Sequence, residues 1–189
     1  MDASCKIQGS IHVLLCLIHK SMCPGFWVHI ILSKELSLNS FSKNYYAIVH
    51  CDSIDSLPSC GTLKNFLLHD VKSNSSSVVG EGVPGAKEAI LEYKVIGNTV
   101  VGNDCNLALL DINLITGRHH QIRVQLSHAG LPIFGDKKYG IEVPLDIPFM
   151  LKRAGLALCA YSLTFTHPIT GKTMKFVNKP KGKLWEMFF

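Results

Sequence analysis

The chain has 189 residues, 47% of them hydrophobic and 17% charged, with a formal net charge of +5 at neutral pH. That length suits one domain with a sizeable apolar core, and the apolar share excludes a disordered polyelectrolyte. The mildly basic balance is compatible with a polyanionic partner and does not require one.

Residues 1–42 carry apolar bursts at Leu14–Ile18 and Trp27–Leu32, split by "HKSMCPG", with neither a clean period nor clear caps. "IHVLLCLI" is too short to span a bilayer, and no small-residue cleavage site follows it. Seven cysteines are scattered with no CxxC pair, which makes a poor disulfide framework and fits free, buried thiols in a reducing compartment. The expectation is a soluble, cytoplasmic monomer, or one in an organellar matrix if the source is eukaryotic, with no membrane partner.

From Lys43 the pattern becomes regular. "NYYAIVH" is aromatic and β-branched and predicts a strand. "SNSSSVVGEGVPG" predicts a polar loop. "AKEAILEYKVIG" and "CNLALLDINLI" predict strands separated by a turn-rich "GNTVVGND". Ile122, Leu126 and Ala129 then fall at helical spacing, with Thr116 in the N-cap position, the helix running from Arg118, and Gly130 at its end. "LPIFGDKKYG" predicts a turn, and "LALCAYSLTFTHP" and "KTMKFVN" predict two last strands. Strands outnumber helices and hairpin-like links dominate, so the predicted class is α+β with a mainly antiparallel sheet. The division is a divergent segment 1–42 followed by a domain 43–189.

The segment "TGRHHQIR" concentrates charge. Arg118 and Arg123 near a helix N-terminus suit a phosphate or carboxylate clamp, because a planar guanidinium binds such groups bidentately. A solvated basic face explains the same residues equally well. His119, His120 and His128 lack HxxxH or HExxH spacing, so no metal site is expected and a metal-dependent hydrolase is a remote alternative. No G-x-S-x-G elbow occurs, and the cysteines read as small buried hydrophobes. Lys137, Lys138 and Tyr139 in "GDKKYG" fit a nucleic-acid backbone with a stacked base, or an ordinary surface turn.

Together "LITGRHHQIRVQLSHAGLPIFGDKKYG", "KNYYAIV" and "LALCAYSLTFTHPITGK" resemble three segments of the RluA-type RNA pseudouridine synthases, in order and at natural spacing over about residues 43–178. The third segment departs from the family at Cys159, where histidine is usual. The resemblance implies a pseudouridine synthase-like catalytic domain that isomerises uridine in RNA, ribosomal or transfer RNA first, without a cofactor. Carried over by position, it implies that Tyr45 packs on the uracil and serves as general base. Arg123 would pair with the nucleophilic aspartate. Arg118 and Gln121 would shape the pocket, with His120, Lys137, Lys138 and Tyr139 contacting RNA.

The family's H-R-L-D-R motif does not occur. "IHKSMCPG" aligns His19, Lys20 and Pro24 with it and puts Met22, which cannot ionise or attack a sugar, in the aspartate's place. "MCPGFWVHIIL" can be encoded so that the frame one nucleotide downstream reads A-L-V-S-G-Y-I-L-F, close to the family's P-V-S-G-x-x-L-F. A frameshift, a mis-spliced exon or a decayed copy would account for this, as would an unrelated start joined to a retained domain. The expected domain is therefore N-terminally incomplete and catalytically impaired, or else a non-catalytic RNA-binding descendant. Asp52, Asp55, Asp104, Asp111 and Asp136 are the acids that could substitute.

Overall fold

The computed structural model describes residues 41–142, 146–167 and 170–189. Met22, His19, Lys20 and Pro24 lie outside the described residues, and with them the reading that hangs on the aspartate's place.

Seven strands are described: β1 Ser42–His50, β2 Cys60–Asp70, β3 Ser75–Val79, β4 Lys87–Val101, β5 Cys105–Leu114, β6 Leu158–Thr166 and β7 Thr173–Val177. They form one sheet in the order β3-β2-β4-β5-β1-β6-β7. Every neighbouring pair is antiparallel. Helix α1 spans Gln121–His128, the short α2 spans Phe149–Lys152, and a 3-10 turn covers Trp185–Met187. The class is α+β with an antiparallel sheet, as the residue pattern predicts.

The core follows from β5, the central strand of the order. Its "LALL" run, Leu107 to Leu110, is at most 1% exposed, which requires cover on both faces. One apolar cluster joins this run to Ile48 and Val49 of β1, to Ile122 and Leu126 of α1, and to Phe134 and Leu184. Each large apolar side chain buried this way contributes about 1.5–3 kcal/mol. Gly97 in β4 gives room for the chain's end, since a Cβ there would lie 3.2 Å from the Phe188 ring.

Four expectations are corrected. The helix begins at Gln121, not Arg118, and His120, not Thr116, holds the N-cap position with a left-handed φ of 52°. Thr116 serves instead as a clamp to β4, described below. The serine-rich loop contains a strand, β3, which owes its form to pairing with β2 between Phe66↔Val79 and Asp70↔Ser75. The "GNTVV" half of the expected turn is strand: β4 runs on to Val101, pairing with Cys105, so only Gly102–Asp104 turn. Over residues 60–70 no element is predicted, yet β2 forms there as the partner of both β3 and β4.

The far end of α1 is as expected. Gly130 takes φ 76°, donates its N–H to Ser127 O at 3.1 Å, and the next N–H, of Leu131, reaches Leu126 O at 2.9 Å. These two bonds satisfy helix carbonyls that would otherwise be orphaned.

Candidate functional site

A register shift between β1 and β6 sets up the site. Asn44 faces Ser162 while Tyr45 faces Ala160, which leaves Tyr161 as the extra residue. Such a bulge re-aims side chains. Tyr161 stacks on Tyr46 with ring centroids 3.7 Å apart and donates its hydroxyl to Asp111 Oδ1 at 3.0 Å. Burial, and then the Asp111 carboxylate, push the Tyr161 phenol up. Tyr45, one residue along, falls on the other face of the sheet. There it lines a cavity of about 330 Å³. Burial pushes its phenol up to about 12, so it is a neutral hydroxyl at physiological pH.

The opposite wall is the segment before α1, pinned to β4 by side chains in place of a helix cap. Thr116 Oγ1 accepts from Ile90 N at 2.8 Å and donates to Gln121 Oε1 at 2.9 Å. The same Gln121 oxygen accepts from Arg118 N at 2.9 Å, and Gln121 Nε2 donates to Ile90 O at 3.0 Å. Thr116 and Gln121 thus close the loop on itself and on a strand, which fixes Arg118, His119 and His120 along the cavity's rim. Arg118 Nε donates to Glu88 O at 2.8 Å. Its terminal amino groups make no hydrogen bond among the described residues.

Arg123 sits at the cavity's floor and is committed to a carboxylate. Its Nε donates to Asp136 Oδ2 at 2.8 Å and its Nη2 to Asp136 Oδ1 at 2.7 Å, with side-chain exposures of 8% and 1%. Asp136 also accepts from the backbone N–H groups of Lys138 at 2.9 Å and Tyr139 at 3.1 Å. Burial alone would raise its carboxyl. The hydrogen bonds from Arg123 and from these two N–H groups outweigh that and hold it below its ordinary value. The Tyr139 ring lies 5.0 Å from the guanidinium carbon and completes the enclosure.

The structure therefore gathers Tyr45, Arg118, His120, Gln121 and Arg123 around one cavity. It sends the other nominated residues elsewhere. Lys138 Nζ donates to Ser73 O and Asn74 O, at 3.0 and 2.7 Å, and ties down the β2–β3 hairpin. Tyr139 spends its hydroxyl on Ser76 N and His120 Nδ1, each at 2.9 Å. Lys137 is exposed and does not line the cavity. Asp111 Oδ1 accepts from Tyr161, and both oxygens of Asp136 are engaged by Arg123, so Asp136 presents no free carboxylate. Among the described residues no group of three or more His, Cys, Asp or Glu side chains is placed to hold a metal ion.

Sequence reasoning missed Asn74, Leu114 and Leu158 as lining residues, and Asp136 as the partner of Arg123. The first three come from distant elements, and nothing local marks them. Asp136 had a signal, an acid in a glycine-bounded turn, but its partner stands thirteen residues upstream.

A family profile described as RNA pseudouridylate synthase matches residues 28–128. A chain from Chlorobaculum parvum called an uncharacterized RNA pseudouridine synthase is 32% identical over 157 residues, covering 77% of this chain and 45% of that one. The ribosomal large subunit pseudouridine synthase C of Yersinia pestis is 32% identical over 156 residues, covering 76% and 42%. The chain thus spans less than half the length of these relatives. Among solved structures, human RNA pseudouridylate synthase domain containing 4 superposes with a TM-score of 0.65 at 20% identity, over 83% of this chain and 64% of that one. That likeness is one of fold.

Proposed function

This chain belongs to the RNA pseudouridylate synthase family, and from that premise we propose that it binds single-stranded uridine-containing RNA through the cavity between Tyr45 and the Arg118–Arg123 segment. A cavity of about 330 Å³ lined by a buried tyrosine face, a glutamine-clamped loop and an arginine is of the size and polarity for one nucleobase with its ribose. Tyr45 and Leu158 offer the apolar face for stacking, and Arg118 offers guanidinium nitrogens to a phosphate. Ribosomal RNA is the substrate class that the relatives' names suggest.

The finer reading is that the chain in this form holds uridine without isomerising it. The observation that carries it is the Arg123–Asp136 pair. The arginine that the family resemblance assigns to a nucleophilic aspartate has two of its nitrogens on Asp136. Asp136 cannot serve as the nucleophile itself, being 1% exposed and bonded through both oxygens. Tritium release from RNA carrying 5-tritiated uridine tests this directly. No release alongside salt-dependent RNA binding is the expected result. Release above background overturns the non-catalytic reading, and absence of RNA binding overturns the pocket.

A further inference from the structure

A second cavity of about 270 Å³ adjoins the first and shares Arg118 and His119 with it. Its other walls include His69 of β2, Ser76 of β3, Gly85, and Lys87 at the start of β4. The corrected β2–β3 hairpin therefore builds a site that the motif segment alone does not contain. His119 is its fixed post: Nδ1 lies 2.9 Å from Ser76 Oγ, and Nε2 lies 3.1 Å from Asn74 Oδ1. His69 stacks on that post with ring centroids 3.9 Å apart and is itself exposed, so its imidazole presents a flat face to solvent. Among the described residues the Lys87 side chain makes no hydrogen bond or ion pair, although the next residue, Glu88, pairs at 2.8 Å with Lys64. No carboxylate lines this cavity among the described residues.

We infer that this cavity is a second nucleotide site, which takes the phosphate of the residue flanking the bound uridine between Lys87 and Arg118 and its base against His69. The inference rests on the uridine-pocket reading, because the shared Arg118–His119 wall makes the two occupants neighbours on one strand. Phosphate at a lysine and an arginine is a charge-assisted contact, and stacking on an imidazole is indifferent to base identity. The site therefore selects for an unpaired neighbour, not for a sequence.

The test is binding of a fluorescein-labelled oligouridylate to the full chain, followed between about 50 mM and 200 mM salt. Lys87→Met should weaken binding and lower the salt slope by about 0.7, the value of one single-strand phosphate contact. His69→Ala should weaken binding about fivefold with the slope unchanged, since a stack carries no counterion. Lys175→Met, on β7 at the opposite edge of the sheet, should change neither. A Lys87→Met slope equal to wild type, or a Lys175→Met slope that falls as much, overturns the second site while the uridine pocket stands. A wild-type chain that does not bind the oligonucleotide overturns both.

Discussion

Arg123 and Asp136 meet as a two-pronged ion pair, at 2.8 and 2.7 Å, buried beneath the cavity and capped by the Tyr139 ring. The pair joins α1 to the turn after Ile133, so the basic segment and the Gly-Asp turn act as one piece of the fold. It also means that the Arg123 charge is paired from within the chain. In the proposed RNA complex, phosphate contacts are therefore expected at the rim and not at the floor.

Removing one member of a buried pair leaves the other desolvated, which costs about 3–5 kcal/mol. Asp136→Ala should lose that much in urea denaturation and unfold with a lower midpoint at an unchanged slope. A loss within 0.5 kcal/mol, the range of an ordinary surface change, would show that the pair is not structural.

The same pair sets an acid limit. The Asp136 carboxyl is held below its ordinary value of 3.8, so the unfolded state takes up a proton before the folded state does. Its contribution is complete above about pH 4 and is lost as pH falls through the depressed folded value. The stability gap between wild type and Asp136→Asn should be flat from neutral pH down to about pH 4 and should shrink below it. A gap that shrinks between pH 7 and about pH 5 would point to a histidine instead.

His50 supplies that contrast. Its ring is buried against Phe134, with Nδ1 3.5 Å from the Cys105 thiol and Nε2 without a partner among the described residues. Burial lowers its pKa from 6.5, so protons favour the unfolded chain and stability falls as pH drops below that value. His50→Leu should flatten this limb of the stability profile while leaving the limb below about pH 4 intact. An unchanged profile between pH 5 and 6.5, near the ordinary histidine value, would remove His50 as its cause.

Gln125 is fully buried, and the two hydrogens of its Nε2 are shared among Leu63 O, Asn65 Oδ1 and Ala89 O, at 3.1, 2.8 and 3.1 Å. It fastens α1 to β2 and β4 by hydrogen bonds where the helix's apolar stripe gives out. Gln125→Met keeps the volume and strands those acceptors, at a cost of about 1–3 kcal/mol in chemical denaturation. No measurable cost would mean that the helix is held by its apolar residues alone.

Arg118 is the rim residue with guanidinium nitrogens to spare. Arg118→Met should weaken RNA binding and lower the salt slope by about 0.7, with thermal stability nearly unchanged. Equal slopes for variant and wild type would exclude a phosphate contact at this residue.

The central strands and the apolar stripe of α1 were legible because their patterns are local. In "CNLALLDINL" the consecutive apolar run Leu107–Leu110 marks a strand covered on both faces. The start of α1 was not legible, because Thr116 and Gln121 spend their side chains on β4 instead of on a cap. His120 then adopts a left-handed conformation that no helical period predicts. β3 is polar and forms only because β2 pairs with it. At the site, Tyr45, Arg118, Gln121 and Arg123, nominated from the resemblance, line one cavity. Lys138 and Tyr139 reach the β2–β3 hairpin instead, and a lysine that ties a hairpin looks like one that waits for a phosphate in one dimension.

The two border strands, β3 and β7, are the shortest in the sheet, at five residues each against nine to fifteen inside. Within the described sheet, each of these border strands offers five residues of template to a foreign strand. On β7 it would also meet Lys175 at the middle and Lys172 just before it. Short borders, and on β7 a positive charge, resist amyloid-like stacking of one copy on the next. The brevity of these strands thus acts as a brake on self-assembly, separate from whatever the cavities bind.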